Sequence, residues 1–206
     1  MERGSFQLNI AEIITNPPRD EYIDQYYHSF ATADTVAKIK DLVLKKSADQ
    51  SEINYGLFDQ KDRLIGYFSL YYYGNDIWVV SLSQLSQAYK GQGYGTFFYD
   101  YAIMNDKLKI MSDATNTDGP NGSKKLWLRL KNNQRYNVVG FDTSTNKIIP
   151  DATEEMIWDN RPNTRWLAIP PNETINESLS RIQSTMHKRY VVWYGPGTTT
   201  EDYFNF

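Results

Sequence analysis

The stretch from Ile77 to Asn105 limits the folds open to this 206-residue chain more than any other. It opens with IWVVSLSQL, whose apolar and β-branched residues predict a buried strand. From Thr96 onward, large apolar side chains recur at the spacing of a helix packed on a sheet. Between the two lies the glycine-rich run Lys90-Gly91-Gln92-Gly93-Tyr94-Gly95. Glycine lets the backbone approach a ligand closely and a helix start presents free N–H groups, so this order predicts a cradle for an anion such as phosphate.

Two familiar phosphate loops do not fit this glycine cluster. A Walker loop needs Lys and then Ser or Thr after its last glycine, whereas Gly95 is followed by Thr96 and Phe97. The dinucleotide fingerprint needs G-x-G-x-x-G, and the glycines from Gly91 to Gly95 are spaced differently. A phosphate loop of another class and a glycine-rich turn without a ligand are the interpretations that remain.

The loop resembles the pyrophosphate loop of the GNAT superfamily of N-acetyltransferases. The motif of that family is [Q/R]-x-x-G-x-[G/A], where x is any residue. In this chain Lys90 takes the place of the Gln or Arg, and Gly93 and Gly95 match the two small residues. The segment that leads to the loop, with Leu82, Leu85 and Gln87-Ala88-Tyr89, is also similar to that family. The resemblance covers roughly residues 5 to 150. It implies an α/β fold of the α+β kind, with a GNAT-like mixed, mostly antiparallel central sheet of about six to seven strands, flanked by helices and followed by a C-terminal extension.

The resemblance implies acetyl-CoA as co-substrate and direct transfer of its acetyl group to an amine in a ternary complex. Lys90, the loop N–H groups and the helix start would hold the pyrophosphate. The strand edge near Leu85 and Ser86 would bind the pantetheine as an added strand, and a backbone N–H near Leu85 would stabilise the thioester oxyanion. The implied coenzyme residues are Leu85, Ser86, Lys90, Gly91, Gln92, Gly93, Tyr94, Gly95 and Thr96.

The proton-transfer groups of the family are missing from their usual positions. Trp127 stands where the family has a Tyr that acts as the general acid. An indole N–H cannot serve as a proton donor near neutral pH, so we interpret Trp127 as a packing residue. The strand before the loop carries Ser and Gln where the family has a Glu that acts as the general base. We therefore name Asp113 and Tyr136 as the candidate catalytic residues. An ordered water is the alternative base, and a loop or helix-capping role is the alternative for Asp113.

The composition excludes several kinds of site. The chain has no Cys, which rules out disulfides, a thiolate nucleophile and Cys-based zinc sites, and its two His lie outside any metal-ligand spacing, so we expect no metal. A net charge of -3 argues against nucleic acid as a partner. No stretch resembles a secretory signal or reaches membrane-spanning length, so we expect no membrane association and a cytoplasmic protein, in the host cytoplasm or the virion if a phage encodes it.

The remaining elements follow from periodicity and turn residues. We expect two helices, Glu21–Phe30 and Asp34–Lys46, to form the floor of the acceptor groove, as in the family. The other predicted helices are Lys124–Asn133, Ala152–Trp158 and Asn172–Lys188. The other predicted strands are Ser5–Thr15, Ile53–Asp59, Leu64–Tyr73, Leu108–Met111, Tyr136–Asp142, Lys147–Pro150, Val191–Tyr194 and an edge strand at Trp166–Ile169.

We expect residues 1–150 to form the GNAT-like domain and residues 151–206 a C-terminal extension that packs on that domain or on a partner. The extension ends in Tyr203-Phe204-Asn205-Phe206, and an aromatic tail needs burial against this chain, a second copy of it or another component of an assembly.

Other interpretations are open at the level of function. A non-catalytic binding or structural protein on the same fold would use this extension to join an assembly, for example a phage particle. A narrower resemblance, to acetyltransferase-like proteins of tailed phages, rests on Ser112-Asp113, the polar loop after it and Leu126-Trp127. A transferase with another acyl donor is the third interpretation. No strong run of charge selects the class of amine acceptor, which is a small molecule or a protein.

Overall fold

Nine strands form one mixed sheet in the part of the chain that the computed structural model describes, which is residues 21–113, 123–158, 163–171 and 173. Their order is β1-β2-β3-β4-β5-β6-β9-β7-β8, and the β5–β6 pair alone among them is parallel. The strands are β1 (Asp34–Ile39), β2 (Leu42–Ala48), β3 (Glu52–Phe58), β4 (Leu64–Gly74), β5 (Ile77–Leu85), β6 (Lys109–Met111), β7 (Asn137–Asp142), β8 (Lys147–Ile149) and β9 (Thr164–Ile169). The helices are α1 (Glu21–Asp24), α2 (Tyr94–Met104), α3 (Ser123–Asn132) and α4 (Glu154–Trp158), with 3-10 turns at Tyr27–Phe30 and Gln87–Tyr89.

The predicted fold class, a mixed and mostly antiparallel sheet flanked by helices, is confirmed, although nine strands exceed the predicted number. Most other predicted elements are present, with ends shifted by a residue or two. The predicted helix Glu21–Phe30 breaks into α1 and a 3-10 turn. The predicted strands Ser5–Thr15 and Val191–Tyr194 and, apart from Glu173, the predicted helix Asn172–Lys188 lie outside the described residues. Within the described ranges, none of the helices combines the length and apolar character that a membrane span requires.

The prediction of a helix at Asp34–Lys46 is wrong, because this segment folds into the antiparallel β1–β2 hairpin. Its apolar residues suit a helical spacing, but β2 uses them with the alternation of a strand. Leu42 and Leu44 are buried, whereas the alternate residues Val43 and Lys45 are only partly buried. β2 also pairs in register with β3, and pairing with a formed sheet outweighs a short helical periodicity.

β5 and β6 run side by side for a short distance and then separate. They pair in parallel from Ile77 to Val79 of β5, and beyond Val79 the described residues provide β5 with a partner only on its β4 side. Because β5 continues to Leu85, its second half presents unpaired N–H and C=O groups toward the gap. Ser81 is an extra residue opposite β4 in this half, and such a β-bulge bends a strand locally. This divergence opens the sheet directly before the glycine loop.

β9 lies inside the sheet, so the prediction of an edge strand at Trp166–Ile169 is wrong. β9 pairs with β6 on one side and with β7 on the other. A short apolar run before Pro170 and Pro171 is typical of an edge strand, but the two neighbours that bury it lie far away in the sequence. The division into residues 1–150 and 151–206 stays a prediction, although β9 places residues 164–169 in the common sheet.

Helices cover both faces of the sheet in part. α2 and α3 pack on one face, where the main core includes Phe68, Phe98, Tyr99 and Trp127. Trp127 is 1% exposed and meets the Tyr99 ring edge-on at 5.6 Å, which confirms its interpretation as a packing residue. α1 and the first 3-10 turn cover part of the other face. The start of α2 therefore lies at the end of β5, beside the gap in the sheet.

Candidate functional site

Two residues of the glycine loop adopt the left-handed backbone region. Gly91 has a φ of +77° and Gly93 a φ of +90°, and a Cβ at either position would meet nothing within 4 Å. These glycines therefore serve the backbone conformation and leave the space above the loop open. Gly95 differs, because a Cβ there would lie 3.7 Å from Leu85 Cδ1 and 3.8 Å from Leu126 Cδ1.

α2 starts immediately behind this loop without a side-chain cap. Gly93 is the N-cap residue, no side chain of the described residues caps it, and the first turn carries no acidic residue. The first helical hydrogen bond runs from the Phe97 N–H to the Gly93 carbonyl oxygen at 3.0 Å. The preceding N–H groups have no partner within the helix and lie at the positive end of its dipole. This helix end is suited to an anion placed over Gly91 and Gly93.

A cavity of about 310 Å³ lies between the end of β5, the glycine loop, α2 and α3. The described residues that line it include three positively charged ones, Lys90, Lys125 and Arg129, and no Asp or Glu. Lys125 and Arg129 are four residues apart on α3 and thus share one helix face. The cavity combines positive charge, a free helix start and an open strand edge. Its lining residues are Ser83, Gln84, Leu85, Lys90, Gly91, Gly93, Gly95, Thr96, Tyr99, Ser123, Lys125, Leu126 and Arg129.

The structure places six of the nine implied coenzyme residues on this cavity: Leu85, Lys90, Gly91, Gly93, Gly95 and Thr96. Ser86 is not among the lining residues; it is buried, and its N–H donates to the Ile65 carbonyl oxygen at 2.9 Å. The Gln92 side-chain amide donates to the Ala88 carbonyl oxygen at 2.7 Å. Gln92 and Tyr94 line a separate cavity of about 510 Å³, which the β1–β2 and β3–β4 turns also line.

The two candidate catalytic residues lie in different surroundings. The buried Tyr136 hydroxyl donates to Asp100 Oδ1 at 3.2 Å, and burial, followed by the Asp100 charge, raises the pKa of Tyr136. Tyr136 is not among the residues that line the cavity. Asp113 follows β6, on the other arm of the gap from β5. Its charge contributes, after burial, to raising the pKa of both Tyr99 and Tyr71.

Sequence reasoning missed Lys125, Arg129 and Tyr99. The bases could have been found, since a helix was predicted there and their spacing puts them on one face. Tyr99 looked like one more aromatic residue of a core-facing helix, and only the packing shows that it reaches the cavity. In the described ranges, no three His, Cys, Asp or Glu residues are grouped so that they could hold a metal ion.

Comparison with known proteins gives matches in structure only. No protein-family model matches the chain, and no curated protein matches its sequence. The solved structures that resemble it include acetyltransferases of the GNAT family. One, from Elizabethkingia anophelis with acetyl-CoA bound, is 15% identical, with a TM-score of 0.35 and coverage of 82% of this chain and 94% of that one.

Two further solved structures have similar values. The ribosomal-protein-S18-alanine N-acetyltransferase from Escherichia coli is 11% identical, with a TM-score of 0.38 and coverage of 76% of this chain and 92% of that one. A GNAT-family acetyltransferase from Staphylococcus aureus is 11% identical, with a TM-score of 0.38 and coverage of 77% and 86%. These overlaps are limited, so they carry no argument about function.

Proposed function

We propose that this chain is an acetyl-CoA-dependent N-acetyltransferase that moves the acetyl group directly to an amine. One observation carries the proposal: the cavity joins an uncapped helix start behind two left-handed glycines, three bases and an open strand edge. Coenzyme A has a pyrophosphate, a separate 3′-phosphate and a pantetheine arm with two amides. Each part of that molecule finds a matching group around the cavity.

The pyrophosphate is assigned to the glycine loop and the start of α2. The positive φ angles of Gly91 and Gly93 turn the loop so that no side chain covers it, and the free N–H groups of the first helical turn lie beside it. Lys90 lines the same cavity and adds a positive charge. A glycine turn without a ligand needs neither an uncapped helix nor three bases around it.

The 3′-phosphate is assigned to Lys125 and Arg129. Both line the cavity from α3, whereas Lys90 lines it from the loop. Two sources of positive charge on separate elements suit a ligand whose phosphates are separated along the molecule. Guanidinium and ammonium groups bind phosphate oxygens with charge-assisted hydrogen bonds.

The pantetheine is assigned to the free edge of β5. Beyond Val79, the described residues give β5 no partner toward β6, and Ser83, Gln84 and Leu85 line the cavity from that edge. An extended chain with amide groups can pair with such an edge as an added strand would. This arrangement brings the thioester to the gap between β5 and β6.

For proton transfer, Asp113 and Tyr136 remain our candidates from the sequence. The position of Asp113 across the gap from β5 supports a role as the group that takes a proton from the amine. The Tyr136 hydroxyl is engaged with Asp100, so its role requires that this hydrogen bond exchange during the reaction. Asp113→Asn and Tyr136→Phe separate the two assignments by their turnover rates.

Calorimetry with acetyl-CoA and with CoA tests the proposal, with acetyl-pantetheine as the matched ligand that lacks the nucleotide phosphates. We expect both coenzymes to bind and acetyl-pantetheine to bind far more weakly. A screen of amines, followed by detection of free thiol, then tests transfer. Failure of both coenzymes to bind would contradict the proposal, and binding without transfer to any amine would favour a non-catalytic binding protein.

A further inference from the structure

Tyr99 is the residue through which the aromatic core reaches the candidate coenzyme cavity. It lies on α2, is 1% exposed and lines the cavity. Its ring is held on two sides, since the Phe68 ring centroid lies 4.6 Å away and the Trp127 ring meets it edge-on at 5.6 Å. A ring fixed in this way can direct its hydroxyl to one place only, with little loss of conformational entropy.

The surroundings of the Tyr99 hydroxyl lie on both arms of the gap in the sheet. On one arm lies Ser83, which belongs to the free half of β5 and lines the same cavity as Tyr99. On the other arm the Asp113 charge acts on it. Burial is the main cause that raises the pKa of Tyr99, so the phenol keeps its proton at neutral pH and can donate a hydrogen bond.

We propose that Tyr99 donates a hydrogen bond and then its proton to the sulfur that leaves acetyl-CoA, a role that Trp127 cannot fill. This inference rests on the proposed function, because it needs the thioester to lie in the gap beside β5. Tyr136 and Tyr94 are less suited to this role. The Tyr136 hydroxyl donates to Asp100, and Tyr94 lines the separate cavity beside the β1–β2 and β3–β4 turns.

The transfer step involves the amine, the thioester, the Tyr99 hydroxyl and the Asp113 side of the gap. The amine nitrogen forms a bond to the acetyl carbon, and the bond from that carbon to sulfur breaks, with the electron pair staying on sulfur. The Tyr99 hydroxyl proton passes to this sulfur and gives free CoA. The proton lost by the amine, taken up on the Asp113 side of the gap, returns to the Tyr99 oxygen and restores the phenol. Nothing is oxidised or reduced.

A measurement without any acceptor tests the contact between Tyr99 and sulfur. The thiolate of bound CoA absorbs in the ultraviolet, so its absorbance against pH gives the pKa of the bound thiol. A hydrogen bond to an anion stabilises the thiolate and lowers this pKa. We expect Tyr99→Phe to raise the pKa of bound CoA by about one unit or more relative to the parent. Equal values in both proteins would overturn the proposal.

Tyr55→Phe is the matched control for this measurement. Tyr55 is also a buried phenol, its ring flanks the same Phe68 at 6.0 Å, and its hydroxyl donates to Asp106 and not toward the cavity. A shift in the pKa of bound CoA that is equally large in Tyr55→Phe would assign the effect to core packing and overturn the proposal. If CoA does not bind to the parent at all, the proposed function fails, and this result is distinct from CoA that binds with an unchanged thiol pKa.

Turnover gives the second readout once the screen has supplied an amine. Tyr99→Phe should lower kcat about 10²–10⁴-fold, with the dissociation constant of acetyl-CoA changed by less than about threefold. If circular dichroism shows that Tyr99→Phe does not fold, 3-fluorotyrosine at this position keeps both the ring and the hydroxyl and makes the phenol more acidic. It should then lower the pKa of the bound thiol relative to the parent, and an unchanged pKa would contradict the proposal.

Discussion

At the scale of single residues, two glycines with positive φ define the candidate site. A Cβ added at Gly91 or Gly93 would meet open space, whereas a Cβ added at Gly95 would be in ordinary contact with Leu85 and Leu126. A Cβ added at Gly93 therefore meets no protein atom within 4 Å, and the side chain that it carries enters the space assigned to phosphate. Loss of coenzyme affinity at this position can thus be separated from a clash within the protein.

Gly93→Asp should weaken acetyl-CoA binding at least about tenfold, or about 1.4 kcal/mol, because it places a carboxylate where phosphate is expected. Gly93→Asn is the matched control, since Asn has the same size and tolerates the left-handed region about as well. The affinity difference between the two variants isolates the charge and should shrink as salt is added. Calorimetry at two salt concentrations measures it, and equal affinity of parent and Gly93→Asp would contradict the assigned site.

At the scale of elements, α3 contributes charge and β3 contributes an anchor. α3 carries its two cavity bases on one face, while its Trp127 and Leu130 are buried on another. β3 connects to the segment after α2 through Tyr55, whose hydroxyl donates to Asp106 Oδ2 at 2.5 Å. Lys46 of β2 joins the same carboxylate at 2.7 Å. We therefore expect a substitution of a charged cavity residue on α3 to weaken ligand binding, and a substitution of Tyr55 on β3 to lower stability.

Arg129→Gln should weaken CoA binding several-fold and leave the affinity for dephospho-CoA nearly unchanged, because only CoA carries the 3′-phosphate assigned to it. Lys124→Gln is the matched control, as it removes one positive charge from the same helix at a position that does not line the cavity. Calorimetry with both ligands gives the comparison. Equal losses for the two ligands would show that Arg129 acts on another part of the molecule.

Tyr55→Phe should lower the free energy of unfolding by about 1–3 kcal/mol, because it removes a hydrogen bond to a partly buried carboxylate. Lys46 would remain as the partner of Asp106, which places the expected loss toward the lower end of that range. Urea denaturation followed by circular dichroism measures the change. An unfolding free energy equal to that of the parent would mean that water replaces the hydroxyl without cost.

At the scale of the whole molecule, β9 decides where the chain can be divided. It lies between β6 and β7 and pairs with both, although it follows both in the sequence. Lys109 on β6 is 2% exposed, and its Nζ lies 3.0 Å from Glu173 Oε2, beyond the end of β9. The segment after residue 150 therefore contributes both backbone pairing and a buried charge contact to the first part of the chain.

A chain truncated after Pro150 should not fold cooperatively, since removal of β9 leaves the facing edges of β6 and β7 unpaired. A chain truncated after Gly197 is the control, because it keeps β9 and lacks only the aromatic tail. Thermal unfolding and sedimentation compare the two. A cooperative transition in the 1–150 chain would support an independent domain ending there, and a folded 1–197 chain that has lost an oligomer would support the role of the tail in assembly.

The strand, the glycine loop and the helix between Ile77 and Asn105 were predictable from the sequence by itself, because apolar periodicity and glycine chemistry act within one continuous stretch. Tertiary structure alone decided three other features. Pairing with β3 made a hairpin of Asp34–Lys46, β6 and β7 enclosed β9, and the packing of α2 against α3 brought Tyr99 and Arg129 to one cavity. The physical reason is common to all three: strand pairing and cavity lining depend on contacts between elements far apart along the chain, which local periodicity does not encode.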